Sequence, residues 1–316
     1  ANYYRVGTYL DGVCVDEQLI KEVSALTANN FVTFKTNFTL QAVAGAPLAG
    51  GADCRSYTGQ HYQAFLDAIE SYTYNVLCCP VRAISATDST SLATIALFVN
   101  FIKRMRDEIG AKCQLCAIRP VADHEGVIGV WNTATYNGEI SDALVYWVAG
   151  AQASASTNRS LTNCAYNGNL TVNTAYTQAA LEQALKAGKF ILHNVNGTVR
   201  VLSDVNTLVT FTDDKGEIFR DNQTVRVCDS LANKIAQMFA ERYMGTVQND
   251  ESGREALWND VVKLIQSMTA ERLISAFDPG CISVSAGDKK GSVQISVDGL
   301  RLIGSMDQLY MCIVVM

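Results

Sequence analysis

Asp123-His124-Glu125 is the most suggestive polar cluster in this sequence of 316 residues, a base standing between two acids. A carboxylate beside an imidazole can hold it in one tautomer and let it carry a proton, which is general acid–base chemistry. The triplet follows Pro120 and lies beyond an apolar run, at the kind of strand end where open α/β sheets bind ligands. Support for catalysis is thin. The other histidines are His61 and His193, and the residue four places after His124 is Ile128, so the paired histidines of a zinc-protease helix are missing. The sequence contains no phosphate-binding Gly-x-x-x-x-Gly-Lys-Ser/Thr loop, no Gly-x-Gly-x-x-Gly and no Gly-x-Ser-x-Gly elbow. The triplet is therefore read as a structural turn, with an α/β enzyme using Asp123, His124 and Glu125 as the rival.

Sulfur is the other candidate chemistry, since the chain has ten cysteines. Cys78 and Cys79 are adjacent in Tyr-Asn-Val-Leu-Cys-Cys-Pro, where an extended backbone sends them to opposite faces. Cys113 and Cys116 have Cys-x-x-Cys spacing but sit in the apolar run Lys-Cys-Gln-Leu-Cys-Ala-Ile with no second pair nearby. Reduced core thiols are expected, rather than zinc or a disulfide framework. No metal and no cofactor is expected.

The elements that must position these residues change character along the chain. Residues 3 to 20 alternate around Asp11-Gly12, a two-residue hairpin turn. Val6, Thr8 and Leu10 should then share a face with Val13, Val15 and Leu19. Phe31–Phe34 and Thr39–Val43 read as further strands, before the glycine-rich stretch 45–51. From residue 58 the pattern is helix, buried strand, helix, buried strand. Tyr62, Phe65, Leu66 and Ile69 form one helical stripe, Tyr74–Cys79 a strand, Leu92 to Met105 a helix stopped by Gly110, and Cys113–Ile118 a second strand. That spacing is a βαβ crossover with parallel pairing. A strand at Val127–Trp131 and a helix from Ile140 to about Ala153 extend the layer. Ser154–Thr177 reads as loop, Gln178–Ala187 as helix, and Asn196-Gly197 as a hairpin tip that sets His193 opposite Arg200. Two long helices follow, one striped by Leu231, Ile235, Met238 and Phe239 with Asp229 or Ser230 as its cap, the other by Leu257, Val261, Leu264, Ile265 and Met268. Strands at Cys281–Ser285 and Ser292–Asp298 come next.

The final residues, 307–316, read as an almost uncharged strand apolar on both faces, with no turn and no returning partner. Leu309, Met311, Ile313 and Val315 would face one way and Tyr310, Cys312, Val314 and Met316 the other. Such a strand finds its edges on another copy of the chain, by strand addition. Net charge of −6, no long basic run and no apolar stretch of membrane length argue against nucleic acid and membrane insertion. Five Asn-x-Ser/Thr sequons carry no weight without a secretory leader. The sequence opens on Ala1 directly in strand-like residues, so the natural chain is expected to begin earlier.

Four runs resemble contractile phage tail sheath proteins, above all those of Gram-positive phages and PBSX-like defective prophages. They are Gly188–Phe211 with its Asn196-Gly197 hairpin, Arg226–Ala236, Tyr243–Arg254 and Ser305–Val315. The resemblance covers essentially the whole chain, most specifically 188–316. It implies a non-enzymatic structural subunit with no cofactor, of mixed α/β and α+β fold. Residues 1–57 would be a β-rich outer insertion, 58–213 an α/β sheath domain with its βαβ unit, and 214–316 a C-terminal α+β polymerisation domain ending in an exchangeable strand. It further implies self-assembly into a helix of stacked rings around an inner tail tube, contact with baseplate and tail terminator proteins, assembly in the bacterial host cytoplasm and residence in the virion tail. Subunits would be linked through Leu309, Tyr310, Met311, Cys312, Ile313, Val314, Val315 and Met316. The tube-facing surface is expected on a helix of the C-terminal domain, 231–244 or its neighbour, through Lys234, Gln237, Glu241 and Arg242. The N-terminal arm region of the family has no counterpart here. A carbohydrate-binding adhesin using the tyrosine-rich residues 1–57 is a further rival.

Overall fold

A computed structural model describes residues 3–10, 12–35, 37–43, 45, 47, 57–307 and 311–312. Two compact units divide the chain, Ala1–Ser56 and Tyr57–Met316.

The first unit is built on an antiparallel hairpin, β1 (Tyr4–Leu10) and β2 (Val13–Ile20), with Gly12 at positive φ in the turn. Its register differs from the expected one. Leu10 pairs with Val13 and Tyr9 with Cys14, but a bulge then sets Thr8 opposite Asp16 and Val6 opposite Gln18. One extra residue reverses the faces of everything beyond it. Val13, Val15 and Leu19 therefore point to solvent, and the sheltered side carries Thr8, Asp16 and Gln18. Asn29 ties that polar side together, its amide donating to Thr8 Oγ1 at 3.0 Å and Asp16 Oδ2 at 2.9 Å. The strands expected at Phe31–Phe34 and Thr39–Val43 do not form among the described residues. Asn29 Oδ1 instead accepts from the Phe31 and Val32 N–H groups, turning the chain where pairing would have begun.

The second unit opens with α1 (Gly59–Ile69), β3 (Val76–Cys79) and α2 (Ser89–Lys103), which runs on through a π-helical turn, Arg104–Ile109, to Gly110 at φ +88°. Next come β4 (Gln114–Ile118), β5 (Val127–Val130), β6 (Ala134–Tyr136), β7 (Glu139–Ser141) and α3 (Leu144–Ser154). β8 (Thr171–Val172), α4 (Gln178–Lys186), β9 (Lys189–Phe190), β10 (Leu192–Val195) and β11 (Thr198–Val201) complete the middle of the chain. α5 (Asn222–Arg242), α6 (Glu251–Ala270), β12 (Ile282–Ala286) and β13 (Val293–Val297) follow.

The strands β3, β4, β5 and β9 lie side by side in that order, all parallel, so β3-α2-β4 is the expected crossover unit. Both faces of this sheet are covered, which is why its strands read as unbroken apolar runs. Leu77, Cys79, Leu115 and Val127 pack with Leu66 of α1 and Phe98 and Ile102 of α2. Cys116, Ile118, Ile128 and Val130 pack on the other side with Leu144, Val145 and Val148 of α3. Cys78 and Cys79 do part to opposite faces. The nine described cysteines are free thiols. Burial pushes the Cys78 thiol up to about 12, and those of Cys79, Cys113 and Cys228 up to about 11. At neutral pH these four are thiols rather than thiolates.

Two helix starts differ from expectation. Ile140 belongs to β7, because Asn137 and Gly138, both at positive φ, close a β6–β7 hairpin ahead of α3. The helix α5 begins eight residues before Ser230, with Asp221 as its cap accepting from the Thr224 N–H at 2.7 Å. Polar residues in its first two turns hide it from an apolar-stripe reading. The β10–β11 register, with Val195 opposite Thr198 and His193 opposite Arg200, is as expected. A third core joins α5, α6 and the β12–β13 hairpin through Val227, Leu257, Val261, Ile265, Met268 and Ile282. Of the expected terminal strand, Gln308, Leu309, Tyr310 and Ile313–Met316 lie outside the described residues. Met311 and Cys312 are exposed.

Candidate functional site

The polar groups that converge in this fold do so where the parallel sheet meets the segments 207–229. Asp123 is a structural acceptor, its Oδ1 receiving the N–H groups of Val209 at 2.7 Å and Thr210 at 3.2 Å. Burial opposes its charge, yet these donors hold the carboxyl below the usual Asp value. The imidazole of His124 is 8% exposed. Its Nδ1 accepts the Gly126 N–H at 3.0 Å, which leaves Nε2 to donate to Asp107 Oδ2, also at 3.0 Å. Both ring nitrogens are thus used by the neutral tautomer. Burial outweighs the neighbouring carboxylates and keeps His124 below the ordinary imidazole value.

Glu125 is buried beside two cations. The Lys215 ammonium donates to its Oε1 at 2.9 Å, and Arg106 Nε stands 3.7 Å from the same oxygen. Burial pushes this carboxyl up, but the imidazole, Lys215 and Arg106 together hold it below the usual range. Arg106 is spent elsewhere, its fork donating to Asp229 Oδ2 at 2.6 Å and Oδ1 at 2.8 Å. A second cluster lies one turn earlier in α5. Asp204, fully buried, accepts from Gln152 Nε2 at 2.6 Å, Asn222 Nδ2 at 2.9 Å and Arg226 Nη2 at 3.0 Å.

Ligand atoms of Asp107, His124 and Glu125 lie within 4.8 Å of one another, a spacing a divalent cation accepts. The Lys215 ammonium, 2.9 Å from Glu125 and 3.4 Å from Asp107, already supplies the positive charge there. What the arrangement does is hold: it fixes the turn 123–127, the segment 207–215 and the first turns of α5 to the end of α2. Sequence reasoning found His124 and Glu125 but missed Arg106, Lys215 and Asp229, which stand up to 123 positions away from their partners. No local signal marks Arg106, which stands in the charged run Lys103-Arg-Met-Arg-Asp-Glu108.

The expected tube-facing residues Lys234, Gln237, Glu241 and Arg242 are exposed on α5, away from these clusters. Gln237 donates to Glu241 at 2.7 Å and Arg242 to Asp260 at 3.3 Å. The chain leaves the core after Ile303, whose N–H donates to Leu273 O at 2.9 Å. Ser305 is held at the opposite end of α5, its N–H donating to Gln223 Oε1 at 3.0 Å.

Residues 55–207 match the phage tail sheath protein central domain, and residues 214–316 the phage tail sheath C-terminal domain. The chain belongs to the phage tail sheath protein family. It is 33% identical over 260 residues to the phage-like element PBSX protein XkdK of Bacillus subtilis, a match covering 75% of this chain and 54% of XkdK. To the tail sheath protein of Clostridium phage phiCD119 it is 28% identical over 186 residues, 58% of this chain and 50% of that one. The chain spans about half the length of these relatives. Its fold is similar to the sheath tail protein Lin1278 of Listeria innocua, with TM-score 0.79 and 30% identity over 95% of this chain and 72% of that one. A sheath tail protein of Desulfitobacterium hafniense gives 0.69 and 31% over 96% and 73%.

Proposed function

We propose that this chain is a structural subunit of the contractile tail sheath of a phage or phage-like particle. It would polymerise around an inner tube and drive that tube through the target envelope. The observation that carries the reading is the pair of sheath-domain matches, 55–207 and 214–316, on a fold similar to a solved sheath tail protein over 95% of the chain. The chain is accordingly divided into an outer insertion, 1–57, an α/β sheath domain, 58–213, and a polymerisation domain, 214–316. No catalytic role is assigned to it. The polar triplet that suggested one spends Asp123 on backbone N–H groups and Glu125 on Lys215.

Linkage between subunits is assigned to residues 309–316, as an exchangeable strand. Each strand hydrogen bond contributes about 0.5–1.5 kcal/mol net, and each large apolar side chain buried about 1.5–3 kcal/mol. A few of each, less the cost of ordering the segment, make a tether that persists while weaker contacts are exchanged. The tube-facing surface is assigned to Lys234, Gln237, Glu241 and Arg242. The partners are further copies of the chain, the inner tube and the baseplate and terminator proteins, with assembly in the host cytoplasm and residence in the virion tail. Electron microscopy of the full-length protein tests the reading. Regular tubes of stacked rings are expected, and a protein that stays monomeric under all assembly conditions contradicts it.

A further inference from the structure

The turn 123–127 holds the segment 207–215 by a run of hydrogen bonds. Thr207 Oγ1 donates to His124 O at 3.1 Å, and the Thr207 N–H to Val127 O at 2.9 Å. Asp123 accepts from Val209 and Thr210, and Glu125 accepts from Lys215. The geometry of the turn itself is set by the imidazole, which spans it from the Gly126 N–H to Asp107.

We propose that His124 is an acid-sensitive pin, and that a second proton on its ring releases the turn 123–127 and with it the segment 207–215. The second proton must go to Nδ1, where the Gly126 N–H already points, so a hydrogen bond becomes a meeting of two donors. The turn cannot back away locally. A side chain at Gly126 would overlap Arg106, and Arg106 is pinned by Asp229 and by the Cys113 carbonyl at 2.8 Å. The charged groups facing the ring come from its own turn and from three neighbouring segments. Asp107, from the π-helical turn, and Glu125, with Oε2 at 3.6 Å from Nε2, favour the cation. Lys215 and Arg106 oppose it, and Asp229 of α5 is occupied with Arg106. Burial of the ring decides the balance for the neutral form. Opening the turn lets water reach the ring and lets it protonate. This behaviour belongs to the folded chain whether or not it polymerises.

Hydrogen exchange of the whole chain, followed from pH 7.5 to 5.5 on peptides covering 119–127 and 207–215 and corrected for intrinsic rates, tests it. Opening should rise by up to about tenfold for each pH unit below about 6.5, the linkage limit for one proton. His124→Asn keeps an oxygen for the Gly126 N–H and cannot titrate, so its exchange should lose that dependence. An NMR titration of the wild-type ring needs no variant and should show the Nε2–H tautomer with a depressed midpoint. Flat exchange down to pH 5.5, an Asn variant with wild-type dependence, or a ring that becomes cationic at or above pH 6.5 without opening overturns the proposal.

Discussion

Arg106 and Asp229, 123 positions apart, meet fork to fork with donor–acceptor distances of 2.6 and 2.8 Å, both nearly sealed from solvent. The pair joins the end of α2 to the second turn of α5. Burial is the largest influence on Asp229 and leaves its carboxyl above the ordinary value even beside a guanidinium, so the pair is held at a desolvation cost.

Removing one partner should therefore cost more than the pair itself contributes. Asp229→Ala is expected to destabilise the chain by about 3–5 kcal/mol, because Arg106 is left buried and uncompensated. Replacing both with Met and Leu should recover most of that. Urea midpoints of the single and double variants check this, and a double variant no better than the single would refute it.

Acid should weaken the junction through Asp107 and Glu125. For each, burial pushes the pKa up, but the surrounding donors and cations leave the folded value below the usual one. The unfolded chain then binds the proton first. Their stabilisation is complete above the unfolded value of about 4 and is lost as pH falls through the folded one. Glu125→Gln should be less stable than wild type at pH 7 and converge with it by about pH 3, as measured by thermal midpoints across that range. A constant gap at all pH values would refute the linkage.

Gly188 offers a test of the α4–β9 turn. It sits at φ +66°, and a Cβ there would meet Asn206 O at 2.9 Å and Thr207 Cα at 3.0 Å, both backbone. The left-handed conformation alone costs about 1–2 kcal/mol for a residue with a side chain, and neither backbone contact can swing aside. Gly188→Ala is expected to lose at least that much in chemical unfolding, whereas Gly197→Ala at φ +83°, with nothing within 4 Å, should lose only the conformational part.

Deleting residues 307–316 is expected to abolish polymerisation and leave a folded monomer. Ser305 and Ile303 retain their bonds to Gln223 and Leu273 in such a variant. Sedimentation and circular dichroism on the full-length protein with and without the segment check the two halves of the statement. Normal tubes from the shortened protein would remove residues 309–316 from their assigned role.

Much of the fold was legible because it follows from local periodicity. The two-sided burial of β3, β4 and β5 leaves unbroken apolar runs, and Asn196-Gly197 fixes the register of its hairpin. Asn137-Gly138 carried the same turn signal, but its strands are only three residues each and the apolar residues beyond it draw the eye into α3. The bulge after Thr8 had no signature, since one inserted residue changes every face without changing composition. The ionic junction was the least legible part. His124 and Glu125 stood out as neighbours, but Lys215, Asp229 and Arg106 reach them only through the fold, and nothing in sequence spacing pairs charges so far apart. Local pattern alone makes Asp229 or Ser230 a helix cap, because that is where an isolated Asp or Ser near an apolar stripe belongs.

The two halves of α5 are gripped by different kinds of force. Asn222, Arg226, Asp229 and Asn233 are keyed by hydrogen bonds to the region around the parallel sheet, while Leu231, Ile235, Met238 and Phe239 rest on greasy contacts with the last third of the chain. Directional bonds fix orientation, and close packing transmits strain. A rod of 21 residues, roughly 30 Å long, is thus fastened to two parts of the chain at once, and because Arg242 and Tyr243 at its far end are bonded to Asp260 of α6, a tilt imposed on its first turns is passed on to α6.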